Sequence, residues 1–186
     1  RQGINSGAAY SPRGDGIALT MSFLGNPEIF LLDTGSREVT RLTKSFGVDV
    51  DPAFSPDGSK LAFVSTRSNQ PMVFTAPISE LKNNPQNASR LTFAGKYNAT
   101  PSWSPSGKKI AFAGFIDSHF DIFIMNTDGT GLERLTKNEG SNEDPHFSPD
   151  GNYIVFSSNR SGLKKIYIIS IDGAFTRQLA YDNLGN

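Results

Sequence analysis

The chain has 186 residues, no cysteine, and 18 Lys and Arg residues against 18 Asp and Glu residues. A zero net charge argues against a nucleic-acid binder, which normally carries a basic excess. The absence of cysteine excludes a disulfide scaffold, a cysteine-ligated zinc site and a thiol nucleophile. The sequence contains no apolar run long enough to span a membrane. It begins at Arg1 without a signal peptide, so we expect a processed chain or a piece of a longer one.

Two short elements recur along the chain with a common spacing. The first is an aromatic residue followed by Ser-Pro-x-Gly, and its prolines are Pro12, Pro56, Pro105 and Pro149. The second is Arg-Leu-Thr, which starts at Arg41, Arg90 and Arg134, with a degraded copy starting at Arg177. Because two independent elements share one spacing, the sequence predicts four copies of one structural unit.

Each repeat contains short β-branched and aromatic runs bounded by Gly, Pro, Asn and Asp, which is typical of strands. Both faces of these strands are apolar, so both faces must be covered. Four antiparallel strands in each repeat predict an all-β fold, a β-propeller with four blades in this chain. The chain is expected to form a single propeller domain or fragment over residues 1–186. The predicted blades span residues 5–42, 49–91, 98–135 and 142–179, and the insertion Glu80–Gln86 is interpreted as a longer hairpin loop.

The aromatic-Ser-Pro-Asp-Gly turns, Ser158-Asn159-Arg160 and the closing Arg-Leu-Thr resemble the blade repeats of the TolB propeller family of the Tol-Pal system. The resemblance implies a six-bladed propeller, of which this chain would hold four blades, in the periplasm. It also implies a non-enzymatic scaffold that binds the lipoprotein Pal and other Tol components, and supports outer-membrane integrity. A closed ring of four blades remains an alternative to a part of a larger propeller.

The sequence offers no catalytic machinery. It lacks the Gly-x-Ser-x-Gly motif of an α/β-hydrolase nucleophile, and its two histidines, His119 and His146, show no zinc-binding spacing. We therefore expect no enzymatic activity and no cofactor. Similar blades also occur in prolyl oligopeptidase-type serine peptidases. The alternative function is thus the gating propeller of such a peptidase, whose catalytic domain would be absent from this chain.

The loops that lead into the first strand of each repeat are the predicted binding site. They converge at one mouth of the axial channel and differ between repeats, and variable loops on a rigid scaffold commonly carry binding. The candidate partner-binding residues are Asp49, Asp51, Tyr97, Asn98, Thr100, Asn142, Glu143, Asp144 and His146. The resemblance makes a Pal-type lipoprotein the expected partner. A cation among the carboxylates is a further alternative, since hard cations take oxygen ligands.

Three further expectations concern the scaffold. The aromatic residue before Ser-Pro is expected to lie in the core between blades. The arginines of Arg-Leu-Thr are expected to form a solvated, charged sheet edge. If the ring is incomplete, the apolar faces of the first and last blades are expected to drive self-association.

Overall fold

The computed structural model describes residues 5–22, 25–137 and 139–179, which form sixteen strands and one short helix. The first sheet contains β1 (Asn5–Tyr10), β2 (Gly16–Met21), β3 (Glu28–Asp33) and β4 (Val39–Arg41). The second contains β5 (Asp49–Phe54), β6 (Lys60–Ser65), β7 (Met72–Pro77) and β8 (Ser89–Arg90). The third contains β9 (Asn98–Trp103), β10 (Lys109–Ile116), β11 (His119–Asn126) and β12 (Glu133–Arg134). The fourth contains β13 (Asn142–Phe147), β14 (Tyr153–Ser158), β15 (Lys165–Ser170) and β16 (Thr176–Gln178).

The four sheets are antiparallel meanders in which each strand pairs with the next along the chain. The predicted all-β propeller class is therefore confirmed, and we refer to the sheets as blades one to four. Neighbouring blades meet through their first strands, since β1 packs against β5, β5 against β9, and β9 against β13. Among the described residues, β13 and β1 do not pack against each other in this way, so the described blades form an open arc.

The apolar core lies between the blades, as the two-sided apolar strands predict. Ala18, Ile29 and Leu42 of blade one pack with Leu61 and Phe63 of blade two in one cluster. Equivalent clusters join blade two to blade three and blade three to blade four. Because every sheet covers its neighbour's face, burial of apolar surface by stacking is the main stabilising contribution.

The repeated Ser-Pro-x-Gly element forms a tight turn between the first two strands of each blade. Its glycines adopt positive φ, which only glycine reaches without steric cost. These glycines are Gly14, Gly58, Gly107 and Gly151, with φ of 73°, 73°, 69° and 75°. In blade two the Ser55 Oγ donates to Asp57 Oδ1 (2.6 Å), and the Lys60 amide donates to Ser55 Oγ (2.9 Å).

The aromatic residue before Ser-Pro occupies the expected place in three blades. Phe54 and Phe147 pack against core clusters. Trp103 packs against the cluster between blades two and three, and its Nε1 donates to the Ala53 carbonyl oxygen of blade two (3.1 Å). The expectation is wrong for Tyr10, whose exposed fraction is 70%. Blade one has no described preceding blade to cover this ring.

The arginines of Arg-Leu-Thr lie on the outer strands, as expected. Two of them also form ion pairs with buried carboxylates, which was not expected. Arg41 Nη2 pairs with the buried Glu28 Oε1 (3.0 Å), and Arg41 Nε donates to the Thr43 carbonyl oxygen (2.8 Å). Arg134 makes the corresponding pair with the buried Asp121 and also bonds the Thr136 carbonyl oxygen. These two arginines are therefore structural ion-pair partners of buried carboxylates.

The insertion in the second repeat is not a simple hairpin loop, because it contains the helix α1 (Ile78–Asn83). Leu81 of this helix is fully buried in the cluster between blades one and two. The buried leucine explains why these residues fold back onto the sheet. In the described part of the chain, no helix is long and apolar enough to cross a membrane.

Phe63→Ala should destabilise the fold strongly, because Phe63 is fully buried between blades one and two. Truncating a buried Phe costs about 3–5 kcal/mol of unfolding free energy. Phe46→Ala is the matched control, since the Phe46 side chain is fully exposed and its loss should change stability by less than about 0.5 kcal/mol. Urea unfolding followed by circular dichroism measures both, and equal midpoints would contradict the inter-blade core.

Candidate functional site: the axial groove

The first strand of every blade is broken at the same place by a β-bulge. The bulged residue adopts a left-handed backbone conformation in all four blades. These residues are Gly7 (φ 53°), Asp51 (53°), Thr100 (47°) and Asp144 (56°). A bulge re-aims a side chain out of the regular alternation of the strand. Here it places four equivalent positions around one groove.

This axial groove encloses about 470 Å³. Its polar lining comes from Asp51, Thr100, Ser102, Asp144 and His146, one or two residues from each of blades two to four. Its apolar walls are Ala8, Ala9, Pro52, Ala53, Phe54, Pro56, Pro101 and Trp103, with Gly7 at the bulge of blade one. The groove thus combines acidic and hydrogen-bonding groups with apolar surface, which suits a peptide segment.

Glycine at position 7 lies on the blade-one side of the groove, beside Asp51. A Cβ atom added there would lie 3.4 Å from Asp51 Oδ1 and 3.5 Å from Thr20 Oγ1. The Asp51 carboxylate therefore lies next to a glycine of blade one.

Burial raises the pKa of the Asp51 carboxyl above its ordinary value, and the nearby Asp144 carboxylate raises it further. A backbone hydrogen bond from Thr100 acts in the opposite direction. The Thr100 Oγ1 atom is buried and has no hydrogen-bond partner in the described part of the chain. Unpaired polar groups of this kind are costly unless a ligand completes them.

The structure divides the predicted site residues into three groups. Asp51, Thr100, Asp144 and His146 line the axial groove together. Tyr97 and Glu143 lie outside it. The Tyr97 ring packs edge-on against Phe120 with centroids 5.3 Å apart. The Glu143 carboxylate pairs with Lys164 Nζ (3.0 Å).

The other three predicted residues are buried at the starts of first strands, where they hold neighbouring segments together. Asp49 Oδ2 pairs with Arg67 Nη2 (3.0 Å). Asn98 Nδ2 donates to the Ala94 carbonyl oxygen (2.9 Å) and to Met72 Sδ (3.0 Å). Asn142 Nδ2 donates to Asp121 Oδ1 (2.9 Å) of blade three, and its Oδ1 accepts from Arg160 Nη2 (2.9 Å). Asp49 and Asn142 are thus held by charged partners within the scaffold, whereas Asn98 uses only its Nδ2 atom in these contacts.

Sequence reasoning missed the apolar walls of the groove, most notably Trp103 and Pro101. The signal for Trp103 was its place before Ser-Pro, which we interpreted as core alone. His119 lies away from the groove, with Nε2 3.2 Å from the buried Asp121 Oδ2. Within the described ranges, no group of three or more His, Asp or Glu side chains is close enough together to hold a metal ion.

The repeated blades and their shared axial groove define a β-propeller segment. A family model described as the TolB beta propeller domain matches residues 1–121 and 98–186. The chain therefore belongs to the TolB beta-propeller domain family.

Individual relatives support this family in detail. A TolB homolog of Chlorobium chlorochromatii is 53% identical over 51 residues, which is 27% of this chain and 12% of the relative. The Tol-Pal system protein TolB of Helicobacter pylori is 33% identical over 73 residues, 39% of this chain and 18% of the relative. The matched segments thus span less than a fifth of the length of these relatives.

Comparison with solved structures supports the same family. The crystal structure of TolB from Acinetobacter baumannii superposes with a TM-score of 0.85 and 31% identity, covering 98% of this chain and 44% of that chain. A puromycin-hydrolysing peptidase of Mycobacterium tuberculosis superposes with a TM-score of 0.71 and 18% identity, covering 97% of this chain and 29% of that one. At that identity the peptidase shows only that the fold is shared.

Asp51→Asn should stabilise the protein at neutral pH. The raised pKa means that folding disfavours the charged form of Asp51. The charged carboxylate therefore lowers the unfolding free energy at a pH above its pKa in the folded protein, and this destabilisation is relieved as the pH falls through that pKa. The increase in stability caused by Asp51→Asn should therefore become smaller as the pH falls from 7 into the acidic range. Thermal unfolding of both proteins across this pH range measures the difference.

Asp144→Asn is the matched comparison for this experiment, and because it removes the charge that adds to the raised pKa of Asp51, it should recover only the smaller, coulombic part of the stabilisation. It makes the same change at the same left-handed backbone conformation, but on an exposed side chain. The comparison therefore removes the contribution of Asn's preference for positive φ. Equal stabilisation of both variants at every pH would contradict the role of burial at Asp51.

Proposed function

We propose that the chain is a non-enzymatic interaction module of TolB type that binds a protein segment in the axial groove. The observation that carries this proposal is the convergence of four equivalent bulge positions on one groove, in a chain that belongs to the TolB propeller family. The relationship to TolB suggests a Pal-type lipoprotein as the partner, other Tol components as further partners, the periplasm as the location and support of outer-membrane integrity as the role.

The chemistry of the groove supports a partner with donor groups. Asp51 and Asp144 present carboxylates, and the Thr100 Oγ1 atom is unpaired. Such groups accept from basic or amide side chains and from the backbone N–H groups of an extended segment. Trp103, Phe54 and the prolines of the groove supply apolar contact area. Carboxylates near the surface also steer a cationic partner, so association should slow as salt is added.

The gating propeller of a serine peptidase remains the weaker proposal. The similarity to the mycobacterial peptidase rests on the fold alone, whereas the similarity to TolB proteins extends to sequence. The sequence flanking this chain in its gene separates the two proposals. A downstream Gly-x-Ser-x-Gly motif would favour the peptidase.

Replacing the groove residues Asp144 and His146 by Ala should weaken binding of Pal from the same bacterium by about tenfold or more, as expected for contacts central to an interface. Glu133→Ala on the outer strand β12 is the control and should leave affinity unchanged, because Glu133 is exposed away from the groove. Isothermal titration calorimetry measures each affinity.

Tyr97→Ala tests the neighbouring surface. Loss of affinity in Tyr97→Ala, with the groove variant unaffected, would move the site out of the groove.

We also propose that the open arc self-associates through its terminal blades. Blade four exposes apolar side chains, and these are Leu163 (74%), Ile166 (44%), Phe175 (46%) and Leu179 (48%). Exposed sheet faces of this kind promote association. Multi-angle light scattering should show dimers or larger species at high concentration, and Ile166→Lys should shift them towards monomer. A wild-type chain that stays monomeric would refute this proposal.

A further inference from the structure

In blades two and four, an arginine guanidinium lies on a pair of aromatic rings. The rings belong to directly paired residues of the second and third strands. The distances from Cζ to the ring centroids are 5.4 Å (Phe63) and 5.1 Å (Phe74) for Arg67, and 5.2 Å (Phe156) and 4.7 Å (Tyr167) for Arg160. These are cation–π distances. The chain thus builds the same guanidinium site twice.

Each guanidinium is also held by hydrogen-bond acceptors at equivalent positions. In blade two, Arg67 Nη2 donates to Asp49 Oδ2 (3.0 Å) and Nε donates to Ser65 Oγ (2.8 Å). In blade four, Arg160 Nη2 donates to Asn142 Oδ1 (2.9 Å) and Nε donates to Ser158 Oγ (3.1 Å). The acceptor at the start of the first strand is charged in one blade and neutral in the other, so a neutral amide oxygen is sufficient there.

Blade three keeps the rings and the amide but has no arginine. Phe112 and Phe123 are paired and stacked, with centroids 5.5 Å apart. Asn98 pairs with Gly114 as Asn142 pairs with Ser158 in blade four. Two residues after Gly114, where blades two and four place arginine, the sequence has Ile116. This segment does not fold back over the rings but continues the β-ladder as far as the pair of Ile116 and His119.

A pocket of about 190 Å³ lies at this position, and we call it the blade-three pocket. Its lining includes Leu91, Phe93, Asn98, Phe112, Gly114 and Phe123. It opens at a rim that includes the largely exposed Phe93 (74%) and Leu132 (47%). An arginine side chain fits a volume of this size.

The Asn98 side chain presents an unused acceptor at this pocket. Its Nδ2 is engaged by Ala94 and Met72, whereas its Oδ1 accepts no hydrogen bond from the described residues. A Cβ atom on Gly114 would lie 3.0 Å from this oxygen and 2.8 Å from the Phe123 ring. Glycine at this position therefore leaves the amide oxygen and the ring open to the pocket.

We propose that the blade-three pocket binds a guanidinium group, supplied by an arginine side chain of a protein partner. A guanidinium is planar and weakly hydrated, so it stacks on aromatic faces while its N–H groups bond an acceptor in their plane. Phe112 and Phe123 provide the aromatic faces and Asn98 Oδ1 the acceptor. Apolar side chains such as Leu91 suit the aliphatic stem of the arginine. This site is separate from the axial groove and does not depend on the function proposed for it.

One cation already lies at the rim. The Arg90 Cζ atom is 4.9 Å from the Phe93 ring centroid, and Arg90 Nε donates to the Thr92 carbonyl oxygen (2.6 Å). Its charge opposes a second guanidinium. The binding measurement therefore belongs at physiological salt, where charges are screened beyond about 8 Å.

The test is an NMR titration of the ¹⁵N-labelled chain with N-acetyl-arginine amide at up to about 20 mM, because contacts of this strength give millimolar affinity. Saturable shifts of the Asn98 side-chain amide and the Gly114 backbone amide are expected. N-acetyl-lysine amide and N-acetyl-leucine amide, at the same concentration, should shift these signals less than about one third as far, since neither is planar and cationic. Larger or equal shifts with the leucine probe would overturn the proposal in favour of a purely apolar pocket, and absence of saturable shifts with the arginine probe would also overturn it.

Two variants locate the binding. Ile116→Arg restores the residue found in blades two and four, so it should fill the pocket and abolish the shifts, while Ile116→Met should retain them. Phe123→Leu removes one ring and should weaken binding by about threefold or more, the share expected of a cation–π contact. Unchanged affinity in a folded Ile116→Arg protein, or in Phe123→Leu if the arginine variant does not fold, would refute the site.

Discussion

The packing of each first strand across the preceding blade is the constraint on which the rest of the structure depends. A single four-stranded sheet with two apolar faces cannot bury both by itself, so each blade needs its neighbour. The junctions are reinforced at equivalent points. The Asp49 amide donates to the Pro27 carbonyl oxygen (2.9 Å) and the Asn98 amide to that of Pro71 (2.9 Å), each in the preceding blade. Stacking in this way brings the four bulges to one axis, and the axial groove is the direct result.

Residues of the repeated sequence elements make specific contacts in this junction, which explains why the fold could be predicted from them. In Arg-Leu-Thr, the leucine enters the core between blades, and Leu42 is fully buried. The threonine hydroxyl accepts a backbone amide of the third strand, as Thr43 Oγ1 does from Ile29 (2.9 Å) and Thr136 Oγ1 from Ile122 (2.9 Å). A buried amide left unpaired would be costly, so the threonine is required by the backbone. The helix that contains Leu81 was not predictable, because its core contacts through Leu81 and Ile78 are set by the neighbouring sheet.

The candidate site was predictable only in part, and the bulges explain the division. An alternation of period two indicates which strand residues share a face, but a bulge shifts that alternation by one residue without a sequence signal of its own. Asp51 and Asp144 follow the bulge into the groove, whereas Asp49 and Asn142 lie just before it and are fully buried. All four looked alike in the sequence, as polar residues of one loop. Their separation into groove and scaffold depends on the positive φ of Asp51 and Asp144, which three-dimensional packing imposes.

Blade three shows how a repeat protein gains a site by losing a scaffold contact. In blades two and four the loop between the second and third strands uses an arginine to cover a ring pair that would otherwise be open to solvent. Blade three has eight-residue second and third strands, against six residues in those blades, so its β-ladder continues where the other two blades place the arginine. Because blade three has no arginine at this position, its ring pair and Asn98 do not hold a guanidinium of the same chain. Because each blade depends mainly on its neighbours, such a change in one repeat leaves the others intact, and the same scaffold contact becomes a surface that another molecule can use.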